Sequence, residues 1–174
     1  MTQNTKTQDG TTQSHLSSTA PSKLPPKKLY GALALAEMVT WALLILGMVL
    51  KYSGITEALV PVFGLVHGVV FLAYCVVTVF VWVNQRWGFV RGLLGLASAI
   101  IPFATLPFER ATARRGLLEG GWRLAPGGEQ PSGAVEKLQA LCLRRPVAAS
   151  VVGAVLIAAA TAALLAVGPP VPKG

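Results

Sequence analysis

Charge is scarce in this sequence. Asp, Glu, Lys and Arg make up 13% of its 174 residues, and only 7 residues are acidic. A soluble domain carries about 25% charged residues, so this chain has too few ions to dress a water-facing surface. Cysteine is nearly absent as well: Cys75 and Cys142 lie far apart and form no CxxC, so no disulfide framework or thiol-based metal or redox centre can be argued. The two histidines, His15 and His67, are also distant in sequence and make no metal-ligand set. No Gly-rich phosphate loop, HExxH or nucleophile elbow occurs. The net charge of +8 comes without zinc-finger spacing, a recognition helix or an RNA-binding signature. The expectation is therefore no cofactor, no metal, no catalytic residue and no nucleic acid among the partners.

What the chain has instead is apolar length. Hydrophobic residues account for 53% of it, and mean hydropathy is +0.58. They concentrate in four windows, Leu29 to Leu50, Leu59 to Val83, Val90 to Leu106 and Pro146 to Val167. Each is roughly 17 to 25 residues, long enough as a helix to cross a hydrocarbon core of about 30 Å. The runs are continuous, with none of the ten-residue alternation of a membrane β-barrel. The predicted fold is an all-α, polytopic helical membrane protein: a three-helix core bundle over residues 29–108 and a fourth transmembrane helix over 146–168. Pro102 and Pro107 fall in the third window, where they should kink or end the helix.

The remaining segments are polar. Residues 1–28 are rich in Thr, Gln and Ser and read as a disordered tail, with too little apolar surface to offset ordering. The first apolar run starts too late for a signal peptide and reads as an uncleaved anchor. Residues 109–145 form a basic loop in which Arg110 to Leu124 and Ala134 to Arg145 look like short surface helices, and 169–174 is a short tail. Lys23, Lys27, Lys28, Arg110, Arg114, Arg115, Arg144 and Arg145 flank apolar runs, where basic residues meet anionic headgroups and set topology. With four spans and a cytoplasmic N terminus, basic residues divide almost equally between the two sides. The N-in orientation is taken because the first helix usually dominates, and it puts Ser132 outside.

Three stretches, "ALALAEMVTWALLILGMVLKY" (Ala32 to Tyr52), "VHGVVFLAYC" (Val66 to Cys75) and "ASAIIPFATLPFER" (Ala97 to Arg110), together resemble a bacterial integral-membrane family. Its members carry an AE…KY first helix, an HG-containing second helix and a PFxTxxFER-like end of the third. The resemblance covers about residues 29–110. It implies a domain of unknown function, usually a small three-helix protein, in the plasma membrane of a bacterium, with no activity attached. The long tail, the basic loop and the fourth span depart from the short members.

Within the apolar windows a few polar residues stand out. Glu37, Thr40, Trp41, Leu44, Met48 and Lys51 recur at helical spacing and share one face. An ionised carboxylate at mid-membrane costs on the order of 3 kcal/mol, so Glu37 must face the bundle. If the first two helices form an antiparallel hairpin, Tyr74 comes level with Glu37, Ser98 reaches the same depth, and His67 lies nearer Leu43 and the Lys51 end. Glu37, His67, Tyr74, Ser98 and Lys51 are thus a candidate intramembrane polar site. It suits either interhelical hydrogen bonding or proton and substrate binding. Gly64 and Gly68 form a GxxxG, and Gly88 and Gly92 another, each a candidate packing face within the chain or between copies. Trp82 and Trp87 suit an interfacial aromatic belt.

These features predict a small non-enzymatic membrane protein acting as an accessory or assembly subunit, with a membrane protein or a second copy as partner. The other reading is a proton-linked transporter or channel component built on Glu37 and His67.

Overall fold

The computed structural model describes residues 24–167, and every regular element among them is helical. Helix α1 runs from Pro26 to Tyr52, α2 from Leu59 to Asn84, α3 from Phe89 to Ile100, α4 from Thr105 to Arg114, α5 from Ala134 to Arg144 and α6 from Pro146 to Val167. Two of them, α1 and α2, are by themselves long and apolar enough to cross a membrane, and α5 with α6, bent by 109°, makes a third candidate. The chain is thus a polytopic helical membrane protein. The tail expected over residues 1–28 falls largely on 1–23, and the tail over 169–174 entirely, outside the described residues.

Helix α1 begins with Pro26 at its first position, where a missing N–H costs nothing. It ends where Gly54 takes a φ of +73°, a left-handed conformation that glycine adopts without a Cβ clash. From there the chain doubles back along the last turn of α1, and the Ile55 N–H reaches the Leu50 carbonyl at 3.0 Å. Helix α2 therefore starts beside Gly47, not beyond Tyr52. A Cβ at Gly47 would lie 3.1 Å from the Phe63 ring and 3.7 Å from the Val60 Cα, so this glycine admits the start of α2. The hairpin register is shifted by more than a turn from the one expected from the link length alone.

The third window is not one helix. Helix α3 has 12 residues, about 18 Å of rise, too short to cross. Pro102 offers no N–H to continue its ladder, and Phe103 takes a φ of +65°. The chain then reverses into α4. On the way in, α3 runs antiparallel to α2: Gly92 sits against Trp82 and Gly95 against Thr78, and Ser98 against Tyr74. On the way out, α4 descends along α1, with Thr105 Oγ1 donating to the Ala34 carbonyl at 3.0 Å and Glu109 lying against Gly31. Helices α3 and α4 form a re-entrant hairpin that enters and leaves at the same end of the α1–α2 pair.

The polar segment after α4 closes over that end. Helix α4 stops at Arg114, and the stretch from Arg115 to Leu124, expected as helix, is a series of turns with Gly116 and Gly120 at positive φ. Lys27 Nζ meets Glu119 at 2.6 Å, Gln85 donates to the Glu119 carbonyl at 3.0 Å, and Asn84 donates to the Gly121 carbonyl at 3.1 Å. Trp87 is buried beneath this segment and donates to the Leu117 carbonyl at 3.0 Å, so it is a core residue and not part of an interfacial belt. Helix α5 rests on the last turns of α2 through Gln139, which donates to the Phe80 carbonyl at 2.8 Å. Every described basic residue except Lys51 belongs to this one end or to the segments covering it. The expected division of basic residues between two ends, with Ser132 opposite the start of α1, is therefore replaced by a single basic end: because α3 and α4 turn back, the segment carrying Ser132 lies at the same end as the start of α1.

Candidate intramembrane polar site

Two polar clusters lie between the helices, stacked along α1. The deeper one centres on Glu37, about 16 Å along α1 from its first residue and fully buried. Its Oε2 is 3.7 Å from Nδ1 of His67 on α2. Thr40, one turn on, joins them: its hydroxyl is 3.0 Å from the Glu37 carbonyl, 3.4 Å from Glu37 Oε2 and 3.2 Å from His67 Nδ1. A hydroxyl has one proton to give. Spent on the Glu37 carbonyl, the shortest of the three contacts, it leaves the Thr40 oxygen to accept from His67 Nδ1–H. The imidazole is walled by Trp41, at 4.5 Å between ring centroids, and by Phe71 at 6.1 Å. Trp41 in turn donates its indole N–H to the Ala99 carbonyl at 3.2 Å. That carbonyl lies in the last turn of α3, where the break at Pro102 removes the usual helical donors. The end of the re-entrant hairpin thus fixes the ring that packs on His67.

The second cluster is a chain of hydroxyls nearer the basic end. Ser98 donates to the Gly95 carbonyl at 2.7 Å, Tyr74 and Ser98 are 3.0 Å apart, and Tyr30 and Tyr74 are 2.8 Å apart. Since each hydroxyl donates once, the direction is set from the far end: Tyr30 donates to Tyr74, Tyr74 to Ser98 and Ser98 to the backbone. The two tyrosine rings stack with centroids 5.3 Å apart, and Trp87 meets Tyr30 edge-on.

The expected polar layer is thereby redistributed. Glu37 pairs with His67, not with Tyr74 and Ser98, because the folded-back link lowers α2 beside α1. Tyr74 and Ser98 do meet, but their partner on α1 is Tyr30. That residue lies two turns before Glu37 on the same buried face, so extending the stripe backward from Glu37 reaches it. Lys51 joins neither cluster. It is exposed at the far end of α1, 3.8 Å from Glu57.

The glycines also sort differently. A Cβ at Gly92 would fall within the Trp82 ring, and one at Gly95 would lie 2.9 Å from Thr78. At Gly64 the nearest atom, on Leu44, is 3.9 Å away, and at Gly68 and Gly88 nothing stands within 4 Å. His67 is therefore held by Thr40, Glu37 and Trp41 and not by a tight glycine contact.

One atom in the deeper cluster has no partner. Glu37 Oε1 is buried and makes no hydrogen bond among the described residues. No three His, Cys, Asp or Glu side chains converge as a metal would need, again among the described residues. What the cluster can do chemically is hold one proton between a carboxyl, a hydroxyl and an imidazole on two helices.

The comparisons with other proteins fall on these same elements. Over 88 residues, 49% of this chain, it is 40% identical to a putative membrane protein, SCO5905, of Streptomyces coelicolor. The match covers 10% of that protein, so the chain corresponds to about a tenth of its relative's length. No solved structure matches. A family profile, described as a domain of unknown function, DUF3817, matches residues 27–114. Those bounds begin at the second residue of α1, take in α2 and the re-entrant hairpin, and stop at the last residue of α4. This chain, a bacterial membrane protein, belongs to the DUF3817 family.

Proposed function

We propose that this protein is a non-enzymatic accessory subunit of a membrane assembly, with the family domain as its folded body and α6 as its docking element. The observation that carries this is the state of α6. It is a 22-residue apolar helix whose main packing partner among the described residues is its neighbour α5, and Val147, Val151, Val152, Val155 and Leu156 on it are more than half exposed. Packing against another membrane helix through small and β-branched residues is the ordinary use of such a face. The Streptomyces relative supports the same reading, because there a homologous segment is a tenth of a much larger putative membrane protein.

The test is purification of the full chain from its native membrane in mild detergent. A stoichiometric membrane-protein partner is expected, lost when Val151 and Val155 are replaced by Ser while the protein stays folded. A monodisperse single chain with no partner under conditions that keep known complexes intact would defeat the proposal.

A second reading is favoured by Glu37 Oε1, buried beside His67 without a partner. A protonatable pair at that depth suits a proton-linked transport component. Proton flux into vesicles containing the purified protein, abolished by Glu37→Gln and His67→Phe with membrane abundance unchanged, would support it. Vesicles without flux would remove it.

A further inference from the structure

The re-entrant hairpin leaves a groove of about 540 Å³ whose lining includes Arg91 and Leu94 from α3, Phe108 from α4 and Arg115. Its floor is apolar: Leu94 from α3 and Phe108 from α4. Its mouth carries two guanidinium groups, Arg91 from α3 and Arg115 just past α4. Neither makes an ion pair among the described residues. Of the carboxylates of this end, Glu119 pairs with Lys27, Glu129 and Glu136 pair with Arg123, and Glu109 is buried against Gly31. The groove sits at the basic end, where a re-entrant hairpin meets the headgroup layer of the bilayer.

We infer that this groove binds an anionic phospholipid, its phosphate held between Arg91 and Arg115 and one acyl chain lying over Leu94 and Phe108. The charge pattern selects the occupant. Two unpaired cations above an apolar floor complement a molecule with a phosphate at one end and hydrocarbon at the other, and guanidinium is the side chain best shaped for phosphate oxygens. A soluble protein segment would leave the floor facing lipid, and a wholly apolar helix would leave both arginines without counter-charge. Lipid recognition by basic residues between membrane helices follows the same physics.

The site is tested on the full chain by native mass spectrometry, with phosphatidylglycerol and phosphatidylcholine of matched acyl chains supplied together. Wild type should retain phosphatidylglycerol preferentially. The double variant R91Q/R115Q should lose that preference by about fivefold or more, while the charge-matched control R144Q/R145Q keeps it. Because neither Arg91 nor Arg115 is in an ion pair, the double variant should keep the thermal stability of wild type without lipid. L94Q should weaken retention with both arginines present. Equal retention of the two lipids by wild type, or equal loss in the control variant, would overturn the inference, because the attraction would then be general to the basic end. Displacement of the lipid by millimolar inorganic phosphate would overturn it too, since the floor would then contribute nothing.

Discussion

The indole N–H of Trp122 donates to the carbonyl of Leu24 at 2.9 Å, joining the segment after α4 to the residue that precedes α1. Two points 98 residues apart in sequence therefore lie on one side of the membrane. The excess of basic residues at this end predicts that this side faces the cytoplasm.

A labelling experiment checks the orientation. In a background with Cys75 and Cys142 replaced, Ser132→Cys should be protected from an impermeant thiol reagent in intact cells, and Ser53→Cys in the α1–α2 link should react. Reaction at both positions would mean that α3 and α4 are not re-entrant, and reaction at Ser132→Cys alone would mean that the basic end faces outward.

Substitution of the glycines should rank by local space. Gly92→Ala drives a methyl into the Trp82 ring and should destabilise the protein by about 1–3 kcal/mol, as overpacking does. Gly68→Ala meets nothing within 4 Å and should leave stability in detergent unchanged. Thermal unfolding of both variants beside wild type measures the difference, and a Gly68→Ala protein less stable than Gly92→Ala would reverse the packing assignment.

The direction of the hydroxyl chain sets apart two otherwise similar substitutions. Tyr74→Phe strands the buried Tyr30 O–H and should cost about 1–3 kcal/mol. Tyr30→Phe removes the first donor and strands no other proton, so its cost should be nearer 0.5–1.5 kcal/mol. Equal losses, or a greater loss for Tyr30→Phe, would contradict the donor order.

The pH dependence of the covering segment should follow Glu136. The Ser132 backbone N–H, the Arg123 guanidinium at 2.6 Å and the Ser132 hydroxyl hold its carboxyl down to about 2, from an ordinary value of 4.5. A carboxyl with a depressed folded value stabilises fully above its unfolded value and loses that contribution as pH falls toward the folded one. The gap in thermal stability between wild type and Glu136→Gln should thus be constant above about pH 5, narrow from 4.5 downward, and close near 2. A gap that widens on acidification would show that Glu136 is not held as an anion.

Much of this was legible from residue order, and the failures have physical causes. The window Pro146 to Val167 coincides with α6, and the first two windows lie within α1 and α2, because a long apolar run has few ways to satisfy its backbone in lipid other than as helix. The third window misled because hydropathy counts apolar residues without regard to direction. Nothing in "AIIPFATLPF" states that Phe103 turns left-handed and sends the chain back. Glu37 and His67 were each conspicuous as polar residues in hydrocarbon. Their pairing was not, since it depends on the register set by the fold-back at Gly54 and by the room Gly47 leaves for α2. Tyr30 escaped notice because a tyrosine at the edge of an apolar run is unremarkable until its hydroxyl finds Tyr74.

The half-depth hairpin has a consequence for the bilayer itself. Between Pro26 and Arg114, the monolayer beside the basic end accommodates the cross-section of four helices, and the opposite monolayer that of two. With helices about 10 Å across, the difference is roughly 150 Å² per molecule. The protein is a wedge: many copies gathered in one patch would expand one monolayer over the other and favour a membrane convex on the side of the basic end.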